Sequence, residues 1–264
     1  MMAMSRKITY SLLDPTGNMT ILVETPVPVE SQPFVAQKLM DAEPQAEQVG
    51  FIRYTDSKDS IDLRMAGGEF CGNASMCAAV MALVHEGREE GNIVVRVSGT
   101  ADPVRVTITT DAEGSRRGVV GMPKPLSVTE EALPGGAAYP VVHFPGISHV
   151  ILEEKMDRRE SEALALTWCK HLKAEAIGLM FVDFENHRLA PLVYVPEAGT
   201  LVWESSCASG TTAVGAYLAK KSGGPVKMPL VQPGGTLTIA VDADGDLFLE
   251  GAVRVISQTS LEMS

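Results

Sequence analysis

Two segments of this chain read as copies of one unit: FCGNASMCAAVMALVHEG from Phe70 to Gly87, and SCASGTTAVGAYLAKKSG from Ser206 to Gly223. Each opens on a cysteine, continues through small residues into an alanine-rich pattern that predicts an amphipathic helix, and stops at glycine, a common C-terminal cap. The copies lie about half the chain apart, which is the mark of an internal duplication. Any fold the chain adopts must therefore house the same cysteine-headed helix twice.

The sequence around both helices is strand-rich. ITYSLL, MTILVE, VGFIRYT, NIVVRV, PVRVTITT, YPVVHF, LMFVDF, PLVYV, TLVWE, GTLTIAV and AVRVIS are apolar, β-branched runs mostly bounded by Gly, Pro, Asp or Asn. Further helical patterning covers Gln32 to Met40 and Arg159 to Leu172. The expected class is α+β, with few helices covered by curved sheets. The stretch from Met122 to Pro140, holding Pro123, Pro125, Pro134, Gly135 and Gly136, marks a boundary. The halves are then 1–124 with Cys71 and 137–251 with Cys207, and a final strand at about 252–260 is expected to return to the first half.

Composition narrows the function classes. A chain of 264 residues with 45% hydrophobic content can bury one large core or two ordinary ones. No apolar run approaches the roughly 18 residues of a membrane span, and the opening MMAMSRKITYSLLD lacks the apolar centre of a signal peptide, so a cytoplasmic protein with no membrane partner is expected. A net charge of −11, with no basic cluster to offset it, argues against nucleic acid. The four cysteines show no framework of paired spacings, which suits a reducing compartment. Cys71 and Cys77 do not form a CxxC pair and no histidines are closely spaced, so no metal is expected. A homodimer is compatible with this composition.

A cysteine at a helix start meets unpaired backbone N–H groups and the positive end of the dipole. These features favour an anion, so each thiol pKa is expected to fall from about 8.5 towards neutrality. The same N–H groups offer a seat for a substrate carboxylate, with Gly72 and Ala208 keeping the backbone approachable and Asn73 and Ser209 adding polar side chains. Two such starts suit inversion at a carbon, where one group removes a proton from one face and the other returns it to the opposite face. Cys71 and Cys207 are the candidate catalytic pair. The plainer reading, that both are small buried helix-start residues, stays open at this level.

At these residues the chain resembles the diaminopimelate epimerase family. Cys71, Gly72, Asn73 and Cys77 stand in register with its CGNGxRC motif, and Glu204, Cys207, Ser209 and Gly210 with its ERG and ACGSGA segments. Gly17 and Asn18 are similar to the start of its GNDF segment, and Gly146 and His149 to the ends of its GNPH segment. The resemblance implies two pseudo-symmetric domains, each a barrel-like, mostly antiparallel sheet around a central helix. It also implies racemisation or epimerisation of an amino acid by two cysteines without pyridoxal phosphate or any other cofactor. The substrate-binding set it implies is Asn18, Gly72, Asn73, Glu204, Ala208, Ser209, Gly210 and His149, with Glu204 meeting the α-amino group.

Departures from the family pattern bear on substrate. Ser205 stands where the epimerase has an arginine for the distal end of diaminopimelate, and Ile147 stands where it has an asparagine. A buried distal carboxylate without its arginine would be left unpaired, at a cost of several kcal/mol. The GGEFCGN and WESSC segments are most similar to the branch of this superfamily that includes histidine racemases, which makes histidine the expected substrate. The alternatives are another amino-acid racemase or epimerase, including a diaminopimelate or proline type, a phenazine-biosynthesis-like isomerase, a cysteine hydrolase pairing one thiol with His149, or a non-catalytic amino-acid-binding relative. Cys77, turned about 240° from Cys71 on a helix, and Cys169 beside Trp168 read as core. Trp203 reads either as a water shield or as packing.

Overall fold

The computed structural model describes residues 6–263, so the first five residues of the segment examined for a signal peptide lie outside the described residues. In chain order the first elements are β1 (Arg6–Asp14), β2 (Thr20–Val23), α1 (Gln32–Ala42), β3 (Gln48–Tyr54), β4 (Ser60–Met65), α2 (Gly72–His85), β5 (Gly91–Val97), β6 (Val104–Thr110) and β7 (Arg116–Met122). Then come β8 (Ser127–Ala132), β9 (Ala138–Phe144), β10 (Ile147–Leu152), α3 (Arg158–Leu172), β11 (Ile177–Asp183), β12 (Arg188–Val195) and β13 (Thr200–Trp203). The last are α4 (Ala208–Ser222), β14 (Val226–Gln232), β15 (Gly235–Val241) and β16 (Leu247–Met263). Contacts divide the chain into two compact units, one holding the residues up to Gly121 together with those from Glu250 onward, the other Met122–Leu249.

The first unit is a closed barrel of eight strands in the order β1, β2, β3, β4, β5, β6, β7 and β16, with β16 pairing back onto β1. That closing pair is antiparallel, from Arg6 opposite Met263 to Asp14 opposite Arg254, with a bulge between Leu12 and Leu13. Closure leaves no exposed sheet edge. The pairs of β2 with β3 and β4 with β5 are parallel, and each is joined by a helix, as a parallel connection requires. The α2 helix packs against β2, β3, β4, β5 and β6, so the barrel wraps it. Its residues from Gly72 to Leu83 are all buried. The expectation of an amphipathic α2 is therefore corrected: a helix enclosed by sheet needs an apolar surface all round, and its many alanines let the strands approach closely.

In the second unit β14 and β15 form a hairpin, β12 pairs with β11, β13 and β14, and β10, β9 and β8 follow beyond β11. The α4 helix packs against β8, β9, β10, β11, β14 and β15, while α3 covers β11 and β12. Trp168 on α3 is fully buried in a cluster with Val141, Val150, Leu152, Leu179 and Leu192. The 122–140 stretch, read from its prolines and glycines as a connector, carries β8, which pairs with β9 from Ser127 to Ala132. Gly223, with φ of 70°, ends α4 in the left-handed conformation that glycine adopts without strain. Among the described residues, no helix is long and apolar enough to cross a membrane.

Candidate active site

The two cysteine-headed helices start in the same way. Cys71 caps α2 from an extended backbone with φ of −137° and ψ of 115°, and its sulfur accepts the Ala74 N–H at 3.4 Å. Cys207 caps α4 at φ of −124° and ψ of 110°, and its sulfur accepts the Gly210 N–H at 3.3 Å. Four residues on, Ser75 Oγ donates to the Cys71 carbonyl at 2.8 Å, and Thr211 Oγ1 to the Cys207 carbonyl at 2.7 Å. Each sulfur thus acts as an N-cap acceptor, satisfying one of the donors a helix start leaves over. The third-residue N–H groups are spent on the sulfurs, so a ligand carboxylate would have to use the two preceding ones.

The surroundings of the two sulfurs differ. In the first unit the Cys71 thiol, half-buried, donates to Gln48 Oε1 at 3.2 Å. Gln48 Nε2 in turn donates to Asn18 Oδ1 and to Thr20 Oγ1, each at 2.7 Å. Asn18 Nδ2 donates to Glu47 at 2.6 Å, and Asn18 Oδ1 also accepts Asn73 Nδ2 at 3.3 Å. Asn18 is thereby locked among Glu47, Gln48 and Asn73. Asn73 is 1% exposed, and its Oδ1 has no hydrogen-bond partner among the described residues. Cys77 is fully buried behind this cluster, where burial first and Cys71 second push its thiol pKa well up. It is a core residue, as its helical phase predicts.

In the second unit Cys207 is buried, and Ser209 Oγ stands 3.5 Å from its sulfur. Burial raises the Cys207 pKa well above the ordinary thiol value. The Glu204 carboxylate adds to the rise by charge and hydrogen bonding, while Ser209 and the Gly210 N–H oppose it. The expectation that the helix start draws this thiol towards neutrality is therefore corrected. A helix dipole is worth about 0.3 to 1 kcal/mol, less than one pKa unit, whereas full burial moves a group by up to several units. Gln232, 4% exposed, braces the cap by accepting the Cys207 N–H at 2.9 Å and donating to Thr211 at 2.9 Å.

His149 lies one hydrogen bond behind this site. Its Nε2 is 3.0 Å from Ser209 Oγ, and the side chain is fully buried. Burial alone lowers its pKa to about 3, so the ring is neutral at any ordinary pH. The structure places His149, a candidate binding residue from the sequence, behind Ser209 with no exposed surface. Ser206 is 1% exposed, and its Oγ has no partner among the described residues. Trp203 stacks on Phe181 with 5.6 Å between ring centroids and donates to Glu162 at 3.3 Å, so its packing reading stands. Cys169, buried, donates to the Ala174 carbonyl at 3.3 Å at the end of α3. Among the described residues, no group of three or more His, Cys, Asp or Glu side chains is placed to hold a metal ion.

Sequence reading missed Gln48 and Gln232. Gln48 sits one residue before the apolar run VGFIRYT, and Gln232 ends a strand broken by Pro229, so neither falls in a recognisable pattern. Their only sequence signal is a glutamine at the end of a strand, which is common.

Comparison with known proteins adds a second, independent line. The profile of the family described as Histidine racemase CntK N-terminal domain matches residues 7–260. A histidine racemase of Fusobacterium nucleatum is 35% identical over 267 residues, covering 97% of each chain. A histidine racemase of Staphylococcus aureus is 30% identical over 249 residues, 88% of each chain. Among solved structures, a hydroxyproline epimerase from Agrobacterium vitis with bound trans-4-hydroxy-L-proline superposes with a TM-score of 0.70 at 10% identity, covering 98% of this chain and 92% of that one. An epimerase-like protein from Pseudomonas aeruginosa gives 0.69 at 15% identity, covering 97% and 100%. At such identities the structural likeness speaks for the fold alone.

Proposed function

The chain belongs to the histidine racemase family whose profile spans it and is an isomerase of the racemase class; from that premise we propose that it interconverts L- and D-histidine with Cys71 and Cys207 as its two acid–base groups. The observation that carries the mechanism is the repeated cap: two sulfurs, each at the start of a buried helix, each accepting the N–H three residues on. The two units are read as the duplicated halves of a diaminopimelate-epimerase-like architecture, each supplying one sulfur.

In one direction a thiolate removes the α-proton and the opposite thiol delivers its own proton to the other face of the carbanion. The pair ends in the reverse protonation state, ready for the other enantiomer. No cofactor enters this scheme. Burial and the Glu204 carboxylate favour the thiol form of Cys207 in the resting protein. The buried Asn73 Oδ1, without a partner among the described residues, suits a donor on the substrate, and Asn18 holds Asn73 in place. Gly72, Ala208 and Gly210 keep the backbone bare at the two helix starts, while Glu204 takes the α-amino group. Ser205 in place of the epimerase arginine fits a substrate with no distal carboxylate.

Proton NMR in heavy water with reduced enzyme provides the test. Loss of the histidine α-proton with formation of the opposite enantiomer is expected, and Cys71→Ser and Cys207→Ser should each abolish inversion. Full inversion by either variant would sink the two-cysteine scheme, and exchange of diaminopimelate or proline but not histidine would sink the substrate.

A further inference from the structure

The surroundings of His149 do more than fill space. Its ring lies over Gly178, whose Cβ, were there one, would be 2.2 Å from Nδ1, so that nitrogen faces bare backbone. On another side the ring meets Phe144 edge-on, with centroids 6.1 Å apart. Nδ1 is buried and has no hydrogen-bond partner among the described residues, while Nε2 is 3.0 Å from Ser209 Oγ.

A neutral imidazole carries one proton, and the partner of one nitrogen decides where it sits. A buried N–H without an acceptor is rarer and more costly than a bare lone pair. Proton placement on Nε2 therefore satisfies that nitrogen and leaves Nδ1 with only a bare lone pair, the cheaper of the two orphans. Nε2–H then donates to Ser209 Oγ, whose own proton is free to point elsewhere. The atom placed to receive it is Cys207 Sγ at 3.5 Å.

We infer that His149, as a neutral Nε2–H tautomer, is a positioning residue that turns the Ser209 hydroxyl onto Cys207, so that the thiolate formed in each turnover is held by a directed hydrogen bond. The relay runs one way, from His149 Nε2–H to Ser209 O–H to Cys207 sulfur, and no proton leaves it during catalysis. It offsets the two influences that oppose the thiolate, burial and the Glu204 carboxylate. The relay rests on the proposal that Cys207 exchanges a proton with substrate, but its test does not require turnover.

The experiment measures alkylation of Cys207 by iodoacetamide at pH 8 in a Cys71→Ser background, quantified by peptide mapping. Loss of a hydrogen bond to the thiolate shifts its pKa by about one unit, which at fixed pH is about a tenfold fall in rate. Ser209→Ala should show that fall, although a smaller side chain by itself would open the site and speed labelling. His149→Phe should fall in the same direction, His149→Gln, which keeps an N–H donor, should recover most of the rate, and the double variant should fall no further than Ser209→Ala. In the enzyme with both cysteines, kcat/KM should drop equally for L- and D-histidine, because an equilibrium constant of unity binds the two directions together. Nitrogen-15 NMR of histidine-labelled wild-type protein, with the His149 signals assigned by their loss in His149→Gln, should show a neutral Nε2–H ring unchanged between pH 5 and 9. An Nδ1–H ring, a ring that titrates in that range, or unchanged labelling in Ser209→Ala would overturn the relay. Normal labelling effects in a protein that fails to racemise histidine would instead keep the relay and discard the proposed reaction.

Discussion

Acid should weaken the second unit through one side chain. His149 is neutral in the folded protein down to about pH 3, because burial removes the water that would solvate its charge. In the unfolded chain the same ring titrates near 6.5. The folded pKa is depressed, so below about 6.5 the unfolded state binds the extra proton. The stability contribution is whole above that value and drains as pH falls towards about 3. Between pH 7 and pH 5 the loss is about 2 kcal/mol, from 1.36 kcal/mol per unit over roughly the one and a half units below 6.5. Both tryptophans, Trp168 and Trp203, lie in the unit that carries His149, so urea unfolding followed by their fluorescence reports on the right part of the chain. Wild-type protein should lose about 2 kcal/mol more than His149→Gln over this pH step. Equal losses in the two proteins would refute the claim that a neutral buried ring is held there.

Other substitutions probe the same framework. Gly178→Ala would place a methyl group 2.2 Å from His149 Nδ1 and 2.8 Å from its Cε1, forcing the ring off Ser209. It should cost about 1–3 kcal/mol in the same urea assay and lower kcat more than it raises KM. Gln232→Leu strands the buried Cys207 N–H and takes a donor from the Thr211 hydroxyl, which keeps its bond to the Cys207 carbonyl. Its expected cost is likewise about 1–3 kcal/mol, and wild-type urea stability would count against the bracing role of this side chain. Asn73→Ala removes Oδ1 and with it the buried Nδ2 bond to Asn18, and should raise KM for histidine by roughly tenfold or more in initial-rate measurements; an unchanged KM would take Asn73 out of the substrate contacts.

Much of this was legible in the sequence because its signals were local. A cysteine, small residues, an alanine-rich stretch and a closing glycine define a capped helix within eighteen residues, and both copies fold as helices with the same cap. The runs ITYSLL and GTLTIAV are strands for the usual reason, alternation of β-branched residues. The β4 strand, SIDLRM, and β14, VKMPLVQ, escape that reading. β4 alternates cleanly but carries one β-branched residue, Ile61, so it lies outside a search for β-branched runs, and Pro229 interrupts β14. The site was harder to read because its partners are distant in sequence. Gln48 reaches Cys71 and His149 reaches Ser209 only once the sheets have formed.

The same distance explains why the local argument about acidity failed for Cys207, and the failure bears on mechanism. Duplication gave both sulfurs one backbone geometry, so the helix start cannot tell them apart. The difference between them comes from what each sheet delivers. Among their contacts, Cys71 donates to the neutral Gln48 amide, while Cys207 is buried beside the Glu204 carboxylate and the Ser209 hydroxyl. A two-base racemase needs its groups in opposite protonation states at the start of every turnover, and two thiols in identical surroundings would spend much of their time both protonated or both charged. Environments that push the two apart favour one mixed state, as in other enzymes that run acid and base chemistry from like residues. Under the proposed two-cysteine scheme, the repeated helix start gives both sulfurs one cap geometry, and the side chains around each set the two apart.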